Sequence, residues 1–113
     1  MTQCVPAHEL CKHLAQALPD PVVVRDAQGV VVFVNAPLCE LFHVSEDECK
    51  GQELLGVPQE FEGQMREFRD QVKSGATISS VESKRLSAFD MELEVVVSVA
   101  PLLTEQGEYL GCI

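Results

Sequence analysis

Two runs rich in β-branched residues, Val22–Val24 and Val30–Val34, flank Asp26-Ala27-Gln28-Gly29. Gly29 reaches a positive φ without a side-chain clash, so the four residues make a short hairpin loop. Side chains of such a pair alternate between two faces, and at least one face must be covered by other elements. Asp90–Val99 repeats the signal, with Met91, Leu93, Val95, Val97 and Val99 alternating with Glu92, Glu94, Val96 and Ser98. That is the pattern of a half-buried strand. Pro101 is expected to end it, Glu105–Glu108 to turn, and Tyr109–Ile113 to form a last strand. Ala76–Leu86 is a weak strand, with Thr77, Ile78 and Val81 as its only strong formers.

The covering elements are helical. Pro6 suits a first turn, and Leu10, Cys11, Leu14 and Leu18 then share one face of a helix over Ala7–Leu18 that Pro19 ends. Asn35 is a good N-cap and Pro37 a good first-turn residue, which predicts a helix over Ala36–Phe42. Ser45 with Glu48 forms a capping box opening Ser45–Lys50, and Gly51 stops it. A half-turn follows over Gln52–Leu55, and Gly56-Val57-Pro58 breaks the chain. Over Gln59–Ser74, Phe61, Met65, Phe68 and Val72 form one narrow apolar stripe on a polar helix. Two strands, a helical excursion and three hairpin-linked strands make an α+β fold.

The chain has 113 residues, which suits one domain, and 46% of them are hydrophobic, enough for a real core. Its 18 acids against 8 Lys and Arg give a net charge of −10. That excludes a nucleic-acid-binding surface on this segment and disfavours anionic lipid. There is no apolar run of ~20 residues for a membrane helix, so no membrane insertion by this segment is expected. The N-terminus lacks a basic start followed by an apolar run, so the expected location is cytoplasmic. The 5 cysteines are odd in number and irregularly spaced, which fits reduced thiols rather than a disulfide framework.

The stretch LPDPVVVRDAQGVVVFVNAPLCELFHVSEDECKGQELL resembles the start of a PAS sensory domain (sensory box) of a bacterial-type signal-transduction protein. Asp26, Gly29, Val32, Phe33, Asn35, Ala36, Leu41, Glu48 and Gly51 stand where that pattern expects them. MELEVVVSVAPLLTEQGEYLGCI looks like the family's last two strands. His43, where Gly is common, and the polar third strand are departures. The resemblance covers residues 18–113. It implies a PAS-like five-stranded antiparallel sheet in order 2-1-5-4-3 with short helices on one face. Residues 1–18 would be a flanking amphipathic helix and 19–113 the PAS domain of a longer chain.

Chemistry in such a domain would sit between helices and sheet. The side chains expected to converge there are Val32, Val34, Cys39, Phe42, Leu55, Met65, Phe68, Val72, Ile78, Val95 and Val97, with Asn35, Thr77 or Ser80 as polar contacts. The candidate ligand pocket is therefore Asn35, Cys39, Phe42, Leu55, Met65, Phe68, Val72, Ile78, Val95 and Val97. No flavin is expected: the family's GxNCRFLQ-like cysteine motif is absent, the corresponding KGQELLGVP has no cysteine, and Trp is absent. No haem is expected, because the long helix lacks a histidine, and Met65 and His43 are better read as a core and a surface residue. Cys4, His8, Cys11 and His13 cluster, but Pro6 interrupts any helix joining them, so no metal site is expected. No Ser-His-Asp set, phosphate loop or HExxH appears, so the segment is not expected to be an enzyme.

The sequence thus points to a sensory or relay module that takes a small molecule of unknown identity. Its signal would pass to an output domain in the same chain, foremost a sensor histidine kinase, with a transcription regulator or cyclic-di-GMP enzyme as alternatives. A homodimer is expected through the N-terminal helix (Leu10, Cys11, Leu14, Leu18) and the sheet face, and a pure dimerisation module without ligand is the competing reading. A thiol sensor at Cys39 or Cys11 would need a basic setting that this acidic chain hardly offers.

Overall fold

A computed structural model describes residues 13–14, 16–53 and 55–113. The elements run β1 (Val23–Asp26), β2 (Val31–Val34), α1 (Ala36–Phe42), α2 (Glu46–Cys49), a 3-10 turn at Gln59–Phe61, α3 (Glu62–Lys73), β3 (Ile78–Leu86), β4 (Glu92–Val99), β5 (Pro101–Leu103) and β6 (Tyr109–Cys112). The α+β order is as expected from sequence, and all strand pairs are antiparallel.

Pairing forms two ladders, β2-β1-β6-β5 and β3-β4. Pro101 does not end the sheet as expected; it opens β5, a position that tolerates a missing N–H. Between β4 and β5, Ala100 exchanges two hydrogen bonds with Ile113, at 2.8 and 3.0 Å. The chain therefore changes partner at Ala100, from β3 to β6. The expected single sheet, order 2-1-5-4-3, is split into two ladders that meet there.

Two bulges decide which side chains face the helices. Val24 pairs with Phe33 but Arg25 pairs with Val31, so Val32 has no opposite number. This corrects the simple alternation: Val31 is buried in the inner core and Val32 is exposed. On β3, Ser79 and Ser80 together oppose Ser98, with Ser80 at φ 52 and its N–H donating to Ser98 Oγ at 3.0 Å. The bulge turns Val81, Ser83, Arg85 and Ser87 inward.

Local signals set the helices. Asn35 Oδ1 accepts from the Leu38 N–H at 3.2 Å and starts α1. His43 ends α1 at φ 57, a left-handed position where glycine is favoured, and its ring packs at a 42° tilt against Phe89, with centroids 5.0 Å apart. Ser45 and Glu48 cap α2 reciprocally, each bond at 3.2 Å. α3 has no side-chain cap; its stripe packs Phe68 and Val72 into the sheet.

The inner core has two parts. Val31, Val34, Leu38, Phe42, Cys49 and Leu55 form one cluster between β2, α1 and α2. Phe68, Val72, Ile78 and Cys112 form the other between α3 and the sheet. Val24 and Phe33 make a third, with Val22, Leu102 and Ile113.

Candidate functional site

A cavity of about 680 Å³ lies between the helical layer and the sheet, bounded by α1, by Met65 of α3 and by β4. Its walls are Val22, Val23, Leu38, Leu41, Phe42, Leu55, Met65, Val95, Val97 and Val99, and its polar lining includes Asp20, Arg25, Arg85 and Ser98. A mostly apolar wall with few polar groups suits a small molecule.

Of the pocket residues expected from sequence, Phe42, Leu55, Met65, Val95 and Val97 line this cavity. Phe68, Val72 and Ile78 do not; they fill the second core cluster. Cys39 packs against the first cluster instead. Asn35 is 1% exposed and serves the scaffold. Its Oδ1 also accepts from the Val22 N–H at 2.9 Å, and its Nδ2 donates to the Asp20 carbonyl at 2.7 Å. Thr77 and Ser80 are exposed and outside the lining. Leu14 and Leu18, expected at a dimer interface, are 55% and 46% exposed, while Leu10 and Cys11 lie outside the described residues.

Two lining residues, Arg25 and Arg85, were not among those expected. Arg85 is 6% exposed. Its Nη1 donates to Ser83 Oγ at 2.6 Å and to the Lys84 carbonyl at 2.7 Å, and its Nη2 to the Met65 sulfur at 2.9 Å. Ser83 Oγ in turn donates to Gln64 Oε1 on α3 at 2.6 Å. Arg25 Nη1 donates to the carbonyls of Gly29 at 3.0 Å and Glu53 at 2.6 Å. Burial holds both guanidinium groups below their ordinary pKa, and the Arg25 charge lowers Arg85 further. Arg69 adds to the positive field on Arg25, which Cys112 and Glu53 oppose. β3 is anchored where Arg85 leaves it: the Leu86 N–H donates to the Gly56 carbonyl at 2.6 Å and the Ala88 N–H to the Phe42 carbonyl at 2.8 Å. Any Cβ at Gly56, φ 61, would collide with the Leu86 carbonyl.

Burial, with the acids of α2, keeps the thiols of Cys39 and Cys49 protonated: Cys39 is raised and Cys49 is pushed up to about 11. Neither has the electropositive setting of a reactive thiolate. Among the described residues no group of three or more His, Cys, Asp or Glu side chains is placed to hold a metal ion. No helix among them is long and apolar enough to cross a membrane.

The antiparallel sheet, the short helices on its inner face and the cavity between them define a sensory-domain architecture. The PAS fold family model matches residues 9–113, and the chain belongs to the PAS family. PAS domains are generally sensory, non-catalytic modules. The PAS domain of a Colwellia psychrerythraea protein superposes with a TM-score of 0.77 at 20% identity, covering 95% of this chain and 92% of that one. The Bordetella pertussis BvgS PAS domain gives 0.75 at 19% identity over 93% and 80% of the two chains. A Rhodobacter sphaeroides LOV protein gives 0.77 at 16% identity over 94% and 64%. At such identities the likeness is one of fold. No curated protein matches the chain.

Proposed function

We propose that this domain is a sensor: a small molecule occupies the cavity between the helices and the sheet, and occupancy is passed to an output domain of the same chain, foremost a histidine kinase. The observation that carries the reading is the cavity of about 680 Å³ lined from both the helical layer and the sheet. A ligand there touches α1 through Leu38 and Phe42, α3 through Met65, and β4 through Val95 and Val97. It thereby touches residues of both inner clusters. No cofactor is needed for this scheme, and we place the domain in the cytoplasm.

Native mass spectrometry of the purified protein, compared with a Val97→Trp variant that fills the cavity, tests it. The expected result is bound small-molecule mass on the wild type, recovered or added from a metabolite extract, and none on the variant. An unliganded wild type under both conditions would count against the sensor reading.

Homodimerisation belongs to the same proposal. Val96 is 66% exposed, Leu103 45% and Leu110 42%, apolar surface of the kind that marks interaction sites when contiguous. Sedimentation of a Leu14→Glu variant is expected to show a monomer; an unchanged dimer removes the N-terminal helix from the interface.

A further inference from the structure

We infer that the cavity ligand is an apolar monocarboxylate, its carboxylate gripped by Arg85 and Arg25 and its hydrocarbon body lying along Met65, Val95 and Val97. The inference rests on the sensor reading and names the ligand class. The chain carries a net charge of −10, yet among the described residues buried Arg85 forms no ion pair, and half-buried Arg25 feels the Glu53 charge without pairing with it. The sole ion pair among the described residues is Lys84 with Glu92, at 2.9 Å on the surface. All three acceptors of Arg85 are neutral, and the one facing Nη2 is a thioether, a weak acceptor. Both acceptors of Arg25 are backbone carbonyls. Glu53 reaches Arg25 through its carbonyl, and Asp20, exposed on the cavity lining, forms no ion pair with either arginine.

A buried guanidinium without a counter-ion is costly, and the half-buried Arg25 charge acting on Arg85 makes it costlier. An anion relieves both at once. A carboxylate matches the planar fork of arginine, which can hold it through two parallel N–H···O bonds. An ammonium ligand meets two positive charges and is rejected. A ligand charged at both ends would lay its second charge on valine and leucine side chains, which cannot solvate it. One charged end and an apolar body fit both halves of the lining.

The test is calorimetric titration of the whole chain with octanoate, octan-1-ol and octylamine, repeated on Arg85→Gln and Arg85→Lys. Hydrogen bonds to a charged group contribute about 1.5–3 kcal/mol, so octanoate should bind at least about tenfold tighter than octan-1-ol. Arg85→Gln should remove that advantage while leaving octan-1-ol unchanged, and Arg85→Lys should keep part of it. Octylamine should be the weakest of the three. If octan-1-ol binds as tightly as octanoate, or Arg85→Gln binds octanoate as well as the wild type does, the carboxylate inference falls and the sensor reading stands. If none of the three binds, the sensor reading falls with it. Should Arg85→Gln not fold, the ranking of the three ligands on the wild type still decides.

Discussion

Arg85→Met should make the unliganded protein more stable. Arg85 is 6% exposed and its donors end on Ser83, the Lys84 carbonyl and the Met65 sulfur, none of them charged. Methionine has similar reach, adds no buried charge, and packs against Met65 and Leu93, which lies opposite Arg85 on β4. Replacing buried charged groups by apolar ones is often stabilising by 1–4 kcal/mol, and loss of the Ser83 contact offsets part of this. A gain of about 1–2 kcal/mol is therefore expected. For a domain of this size that is a Tm rise of roughly 4–8 °C. The folded-state pKa of Arg85 is lowered, so the penalty on its charged form is present throughout the neutral range and is relieved only as pH rises into the guanidinium titration. The gain should thus be equal at pH 6 and pH 8. With octanoate at a hundred times its Kd, the wild type should recover about 2.7 kcal/mol and the variant almost none. Circular dichroism melts with and without octanoate provide the readout. A variant less stable than wild type by 1 kcal/mol or more, without ligand, would show that Arg85 is a structural strut and refute the reasoning.

Two further perturbations probe the scaffold. Asn35→Ala removes an N-cap, about 1 kcal/mol, and leaves the part-buried Val22 N–H and Asp20 carbonyl short of partners, at about 1 kcal/mol each. Urea denaturation should show a loss of about 3 kcal/mol, and a loss under 1 kcal/mol would deny Asn35 its role. The thiol of Cys49 is raised to about 11 in the folded state against 9.0 ordinarily, so the unfolded chain gives up its proton first. Stability should fall as pH rises from about 9 towards 11, measured by urea midpoints, and fall less in Cys49→Ala; equal slopes would contradict the assignment. Cys49 should also be slow to label with a thiol reagent at neutral pH.

Much of the scaffold was legible because its signals are local. The hairpin loop at Asp26–Gly29, the cap at Asn35, the Ser45–Glu48 box and the alternation of β4 each involve residues a few positions apart. The bulges at Val32 and at Ser79–Ser80 were not legible, since a bulge is defined by what lies across the ladder. They decide which face Val31, Val32 and Arg85 occupy. The arginines were missed for a related reason. A strand with Ser83, Arg85 and Ser87 in alternation reads as a solvated face, yet Ser83 pairs with Val95 and Arg85 with Leu93, residues of the inward face of β4. That register, together with the polarity of β3 already visible in the sequence, is the signal that could have found them. The left-handed turn at His43 explains why glycine would suit that position.

In the proposed scheme the sensing site lies between the helical layer and the inward face of β4. Methyl-resolved NMR of the chain titrated with octanoate tests it most directly. The account predicts shifts concentrated on Val22, Val23, Leu38, Leu55, Met65, Val95 and Val97, all in the cavity lining. Shifts confined to Leu103 and Leu110 on the exposed surface, or no shifts at saturating concentration, would contradict it.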